Sequence, residues 1–394
     1  MMKEFRKRPL RVVRRLLGIT CLLGVTSLLP GSEPGDAAGN IVVFSFNDLG
    51  MHCMNEDFSE IVVLPPFNNL RAVVVRRGHE PDVLDNATVT YKIPTHTREA
   101  DKTNFWTHAE ALFGTALPPN IGLTGNGLSG TMSQAPHKYF EASGIPMVPI
   151  DDGGRFNPYP IAEVTARDQS GNTATTYTVV PVSSEMTCNL CHNSPGVSTA
   201  TDILQDHDEL HGTTLLQQRP VLCASCHADN ALGTPGEPGV PNFSSAMHSA
   251  HAPRMGQVQL ENKCYACHPG IRTQCQRDVH LGEGLQCMDC HGTMSDVGNP
   301  ARNPWVSDLP RCSDCHNRAG FEFEQPGKLY KDSVGHGGVA CAACHGSPHA
   351  ITPALTPTDN LQANLLQGHS GVINTCTVCH TSQPDDPFFH KEDD

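Results

Sequence analysis

The pentapeptide C-x-x-C-H recurs seven times, as CNLCH (188–192), CASCH (223–227), CYACH (264–268), CMDCH (287–291), CSDCH (312–316), CAACH (341–345) and CTVCH (376–380), taking up fourteen of the seventeen cysteines. Two thiols at this spacing can each form a thioether to one vinyl group of a porphyrin, and the imidazole that follows falls beneath the iron. The pattern is that of c-type haem attachment. It predicts seven covalently bound haem c groups, tethered at Cys188, Cys191, Cys223, Cys226, Cys264, Cys267, Cys287, Cys290, Cys312, Cys315, Cys341, Cys344, Cys376 and Cys379. The proximal iron ligands are then His192, His227, His268, His291, His316, His345 and His380. Paired C-x-x-C units also build zinc ribbons, or disulfides in an oxidising compartment. Neither use requires a histidine straight after every second cysteine.

Fourteen further histidines are available for the opposite face of each iron, and bis-histidine ligation needs seven. The candidates are His207, His211, His248, His251, His280, His336, His349 and His369, which share the motif-rich half, together with His52. His248 and His251 stand three apart in AMHSAH, one turn of helix, so one short element could serve two neighbouring irons. HDELH (207–211) only superficially resembles a zinc-protease helix, because aspartate, not glutamate, follows its first histidine. No methionine is singled out by spacing, so mainly low-potential, six-coordinate irons are expected.

These residues need elements to position them, and the chain offers two halves of different character. Residues 39–184 contain β-branched runs such as IVVFSF, AVVV, TVTYKI, IAEVTA and TTYTVV, the last two flanking a Ser-Gly-Asn turn. They predict an antiparallel β domain, sandwich-like, with a short helix at WTHAEALF. Gly125, Gly127 and Gly130 have G-x-G-x-x-G spacing, but no strand leads into them and no helix follows, so the segment is a loop and not a dinucleotide site. Residues 185–394 lack apolar periodicity and are rich in Gly and Pro. Successive first cysteines there are 35, 41, 23, 25, 29 and 35 residues apart, too few to wrap each macrocycle separately. A mostly irregular, haem-packed domain with short helices follows, in which porphyrins supply buried area that side chains do not.

The bulk composition agrees: 394 residues, 38% apolar, with 21 histidines. Residues 1–38 read as a signal peptide, a basic region followed by an apolar run too short to span a bilayer, which implies a periplasmic or extracellular protein with no integral membrane span. The formal charge of −14 becomes about −18 once that basic segment is removed, which excludes nucleic acid as a partner and suits cationic partners or metal cations.

FNDLGMHCMNEDFSEIVVLPPFNNLRA and EVTARDQSGNTATTYTVVPVSSEMTCNLCH in the first half resemble a family of multihaem, here heptahaem, c-type cytochromes of metal-reducing and sediment bacteria. In the second half the resemblance rests on PVLCASCHADNALGTPG, AMHSAH, CYACHPGIRTQCQRDVH, GLQCMDCHGTM, RNPWVSDLPRCSDCH and VACAACHGSPHA. It implies an exported electron-transfer protein of anaerobic or extracellular respiration, whose partners are redox proteins or external acceptors. It leaves self-assembly into filaments open. An electron carrier is favoured over a catalyst. The alternative is a multihaem oxidoreductase acting on a small nitrogen or sulfur compound at one five-coordinate haem, and a third reading gives the β half an assembly or adhesion role.

Outside the motifs and the export segment only Cys53 and Cys275 remain. They could form a disulfide pinning the β domain to the haem domain, or stay as free thiols or a thiolate ligand. A bridge would also carry His52, the neighbour of Cys53, toward the irons as an axial ligand.

Overall fold

A computed structural model describes residues 39–302, 311–385, 387 and 390. The proposed export segment lies outside them. The first half is built on two antiparallel sheets. In one, β1 (Ile41–Phe46) pairs with β4 (Asn68–Arg76), and β4 also pairs with β5 (Asp82–Leu84) and β9 (Tyr139–Ile145), which carries β8 (Ser133–Ala135). In the other, the order is β11 (Thr173–Val179), β10 (Ile161–Arg167), β6 (Thr88–Lys92), β7 (Ser129–Thr131). Two short parallel pairs join β2 (His52–Cys53) to β12 (Val182–Ser183), and β3 (Ile61–Val62) to β13 (Val221–Leu222). β13 leads directly into the second C-x-x-C-H, so that motif starts hydrogen-bonded to the β half.

The β10–β11 hairpin turns where the Ser-Gly-Asn signal placed it, with Gly171 at φ +89° and the Asp168 carboxylate accepting from the Asn172 backbone at 2.8 Å. The predicted helix is α1 (Phe105–Phe113), which buries Phe105, Ala109 and Leu112 and ends on Gly114 in the left-handed region. The glycine-rich stretch differs from a plain loop at its end, where β7 and β8 form edge strands. Their small, mostly exposed residues have no apolar alternation to announce a strand.

β10 alternates buried and part-exposed residues, with Ala162, Val164 and Ala166 inside, as a one-sided strand should. β1 instead is buried on both faces. Ile41 and Val43 join Leu70, Val74, Val89, Phe140 and Val164 in a core shared by both sheets. Val42, Phe44 and Phe46, with Val73 and Val75 of β4, face the opposite way and pack on Ala340, Ala342, Ala343, Ile373 and Val378 of the last two motif segments. One sheet therefore serves as the floor for the motif-rich half.

That half contains two longer helices, α2 (Thr199–His211) and α3 (Phe243–His251), with single helical turns between them and beyond. Ser198 caps α2 by accepting from the Thr201 N–H at 3.0 Å, and Asn242 caps α3 by accepting from Ser245 at 2.8 Å. Further bonds tie this half to the β half. The Tyr159 hydroxyl donates to the Gln274 carbonyl at 2.9 Å, and the Arg77 guanidinium donates to the Thr377 carbonyl at 2.8 Å, while within the motif-rich half the Glu185 carboxylate accepts from the backbone of Ile271, Arg272 and Thr273 at 2.6–2.9 Å. No helix among the described residues is long and apolar enough to cross a membrane.

Candidate haem-binding sites

Each motif winds as one helical turn. The histidine N–H donates to the carbonyl of the first cysteine in 188–192 (2.9 Å), 223–227 (3.1 Å), 264–268 (2.9 Å), 312–316 (2.8 Å) and 376–380 (2.8 Å), while 287–291 and 341–345 are α-helical turns. The turn brings the two thiols to one side and starts the imidazole from the same point, which the double tether requires.

Opposite every motif imidazole stands a second one. Ring centroids are 6.3 Å apart for His192 and His251, 6.4 Å for His227 and His207, and 6.1 Å for His268 and His248. They are 6.1 Å apart for His291 and His349, for His316 and His280, and for His380 and His336, and 5.9 Å for His345 and His390. An imidazole nitrogen lies about 2 Å from a transition metal that it ligates, so two rings on opposite sides of one iron have centroids roughly 6 Å apart. The spacing of all seven pairs is that of an axial ligand set.

The far nitrogens are held as well. Nδ1 meets a backbone carbonyl in His227 (Pro241, 2.8 Å), His248 (Ser244, 2.7 Å), His251 (Met247, 2.7 Å), His380 (His79, 3.0 Å), His390 (Glu322, 2.7 Å) and His349 (Leu49, 3.3 Å). It meets a carboxylate in His192 (Asp206, 3.2 Å) and His280 (Asp278, 3.3 Å), and the Thr213 hydroxyl in His207 (3.0 Å). A carbonyl can only accept, so Nδ1 carries the proton and Nε2 is left free to ligate, the arrangement usual for metal-bound histidine. Burial and neighbouring imidazoles lower the pKa of His268 and His291 to about 4, and burial does the same for His345, keeping these rings in the neutral, ligating form.

Space for macrocycles is present. A cavity of about 540 Å³ is lined by Cys341, Cys344 and His345 of one motif, Cys376, Cys379 and His380 of the next, and both distal partners, His336 and His390. The motif residues Ala342 and Ala343 are small and buried, which lets the turn lie flat on β1 while its cysteines face the cavity. The donor sets and this cavity fit haem c. Among the described residues, no three His, Cys, Asp or Glu side chains converge on a common point as a zinc site requires.

Six of the nine distal candidates thus face a motif histidine, namely His207, His248, His251, His280, His336 and His349. Three do not. His52 points into the β half, where its Nε2 lies 2.9 Å from the Asp48 carboxylate and both side chains are buried. Burial would raise the Asp48 pKa, but His52, Asn69 and Arg71 outweigh it and bring it down to about 2. His211 packs beside His207 with centroids 4.8 Å apart, one turn further along α2, and His369 is an exposed ring bonded to the Ser370 carbonyl. His390, which was not among the candidates, takes the seventh place. Its ring stacks on Phe321 at 5.3 Å, and the aromatic cluster FEF (321–323) upstream was the only hint of a docking point for it.

Cys53 and Cys275 are neighbours, and both are thiols in the structure. Burial pushes the Cys275 thiol up to about 11 and raises Cys53 further, with Cys275 and Glu185 adding to the effect.

Residues 303–381 match the family model for cytochrome c7 and related cytochrome c, a span that holds three of the seven motifs. A multihaem c-type cytochrome region, with covalently bound haem c and an electron-transfer role, is therefore present in this chain. No curated protein and no solved structure matches the chain.

Proposed function

We propose that the chain is an exported electron carrier of anaerobic or extracellular respiration, with seven haem c groups, all bis-histidine. The observation that carries this reading is the facing of all seven motif imidazoles by a second ring at 5.9–6.4 Å. A bound haem with both axial positions filled supplies one-electron exchange and offers no open site to a substrate. The fourteen cysteines would tether the groups and the imidazole pairs would hold them, while the carbonyls and carboxylates at Nδ1 fix the rings. The β half acts as a sandwich whose outer face bears the last two sites. An oxidoreductase with a five-coordinate haem would need a motif histidine without a partner, and the pairing favours the carrier.

The test combines intact mass with electron paramagnetic resonance of the oxidised, exported protein. Seven attached haems and only low-spin ferric signals are expected. A lower haem count, or a high-spin signal that shifts on adding cyanide or nitrite, would refute the reading.

A further inference from the structure

We infer that the seven attachment sites form one unbranched row, in the order 223–227, 188–192, 264–268, 287–291, 312–316, 341–345, 376–380, so that the second motif of the chain stands at one end and the first lies inside. The inference rests on the haem reading above and adds the path through it.

Each link has its own contact. Along α2, Asp206 lies 3.2 Å from Nδ1 of His192, while the next residue, His207, faces His227, so the first and second sites flank one helix. On α3, His251 and His248 are one turn apart and face His192 and His268, which makes the first and third sites neighbours. The third and fourth meet beside their cysteines: the Asn262 side-chain amide, two residues before Cys264, lies 3.2 Å from Cys287 Sγ and donates to the Gln286 side-chain carbonyl at 3.1 Å.

Residues 277–279 run beside 349–351, with Arg277 N–H donating to the His349 carbonyl at 2.8 Å and Val279 N–H to Ile351 at 3.0 Å. That pairing sets His349, opposite His291, next to the segment bearing His280, opposite His316, and so joins the fourth site to the fifth. Phe323 makes the next link, with its ring 6.1 Å from His316 and 6.0 Å from His390, the partner of His345. The sixth and seventh sites share the 540 Å³ cavity, and the Ile373 N–H donates to the Cys344 carbonyl at 3.0 Å. None of these contacts joins sites that are not neighbours in the row.

Both ends rest on the β half. β13, just before the second motif, pairs with β3, and His380 of the last motif bonds to the His79 carbonyl. The row therefore runs along the β half from one anchor to the other, and exchange with donor and acceptor falls at the His227 and His380 ends.

Anomalous diffraction at the iron edge from crystals of the haem-loaded protein tests this without any activity measurement. Seven irons in a single file are expected, with the iron between His207 and His227 terminal and nearest to the one between His192 and His251. Seven bis-histidine irons in another order, or a row ending on His192, would overturn the row alone. An iron missing from any motif would overturn both the row and the proposed function.

Discussion

Among the described residues Arg277 is the largest fully buried side chain, and its replacement by methionine is a direct test of what holds the two halves together. The guanidinium meets Asp359 through two bonds of 2.7 and 2.9 Å, donates to the Gly50 carbonyl of the β half at 2.7 Å, and lies 4.9 Å over the Tyr159 ring. Arg277 and Asp359 are only 1% and 5% exposed, so the carboxylate left behind by Arg277→Met has no water to turn to. Breaking one partner of a buried ion pair costs about 3–5 kcal/mol. The lost Gly50 bond and cation–π contact overlap with that figure and do not simply add to it. Urea unfolding of the haem-loaded protein, followed by far-ultraviolet circular dichroism, should show a loss of about 4 kcal/mol. The double variant Arg277→Met/Asp359→Leu should recover much of it, since no unpaired charge remains. A single variant within about 1 kcal/mol of the parent, or a double variant no better than the single, would refute the reasoning.

His390→Ala removes the partner of His345 and should convert one haem in seven to high spin, whereas His369→Ala and His211→Ala should leave the low-spin spectrum unchanged; the reverse pattern would reassign the ligands. Glu99 is fully buried, and its neighbour Lys102 lies closer to Asp152 (2.9 Å) than to Glu99 (3.4 Å), so burial prevails and raises its pKa from 4.5 to about 9. A carboxyl raised on folding stabilises fully below its unfolded pKa, and that stability is lost as pH rises through about 9. Glu99→Gln should therefore gain on the parent as pH rises from 5 to 8, by up to about 4 kcal/mol, and a difference independent of pH would count against a buried neutral acid. Cys53 and Cys275 should be joined in the exported protein by exchange with a protein disulfide that accepts their two electrons; labelling of denatured, unreduced protein should find neither thiol, and two labelled cysteines would show that no bridge forms.

The attachment residues are readable from sequence because the chemistry is local: two thioethers and one ligand must come from five consecutive residues. The distal ligands are not, because they are chosen by packing across the fold. His349 meets His291 from 58 residues away, and His390 meets His345 from 45 residues away. Helical spacing did identify His248 and His251, since a single turn suffices to relate them. His211, a candidate because it lies in the motif-rich half, packs on His207 one turn earlier instead of facing a motif histidine. At His52 the adjacent Cys53 drew attention from Asp48, four residues earlier, which takes the imidazole. The alternating strands β6 and β10 were legible by period two, while IVVFSF could only be read as a buried run, with nothing to say that its second face lies against two haem motifs.

Past residue 184, among the described residues, the buried apolar side chains are Leu204, Ile373, Val378, Cys376 and a series of alanines at 224, 266, 340, 342, 343, 350, 354 and 363. At about 25 cal/mol per Å², alanines bury far too little to offset the backbone entropy of some two hundred ordered residues. The same small side chains are what a covalent macrocycle needs beside it, because a leucine at 342 or 343 would lift the CAACH turn off β1 and into the space of the cavity. A residue that is poor as core is thus good as haem lining. On the haem reading proposed above, attachment and folding of this half would be one event, in which binding free energy supplies the stability that the chain lacks. The two-faced strands β1 and β4 need no such help on their inner side, where both sheets meet, so the β half provides the surface on which the remainder is assembled.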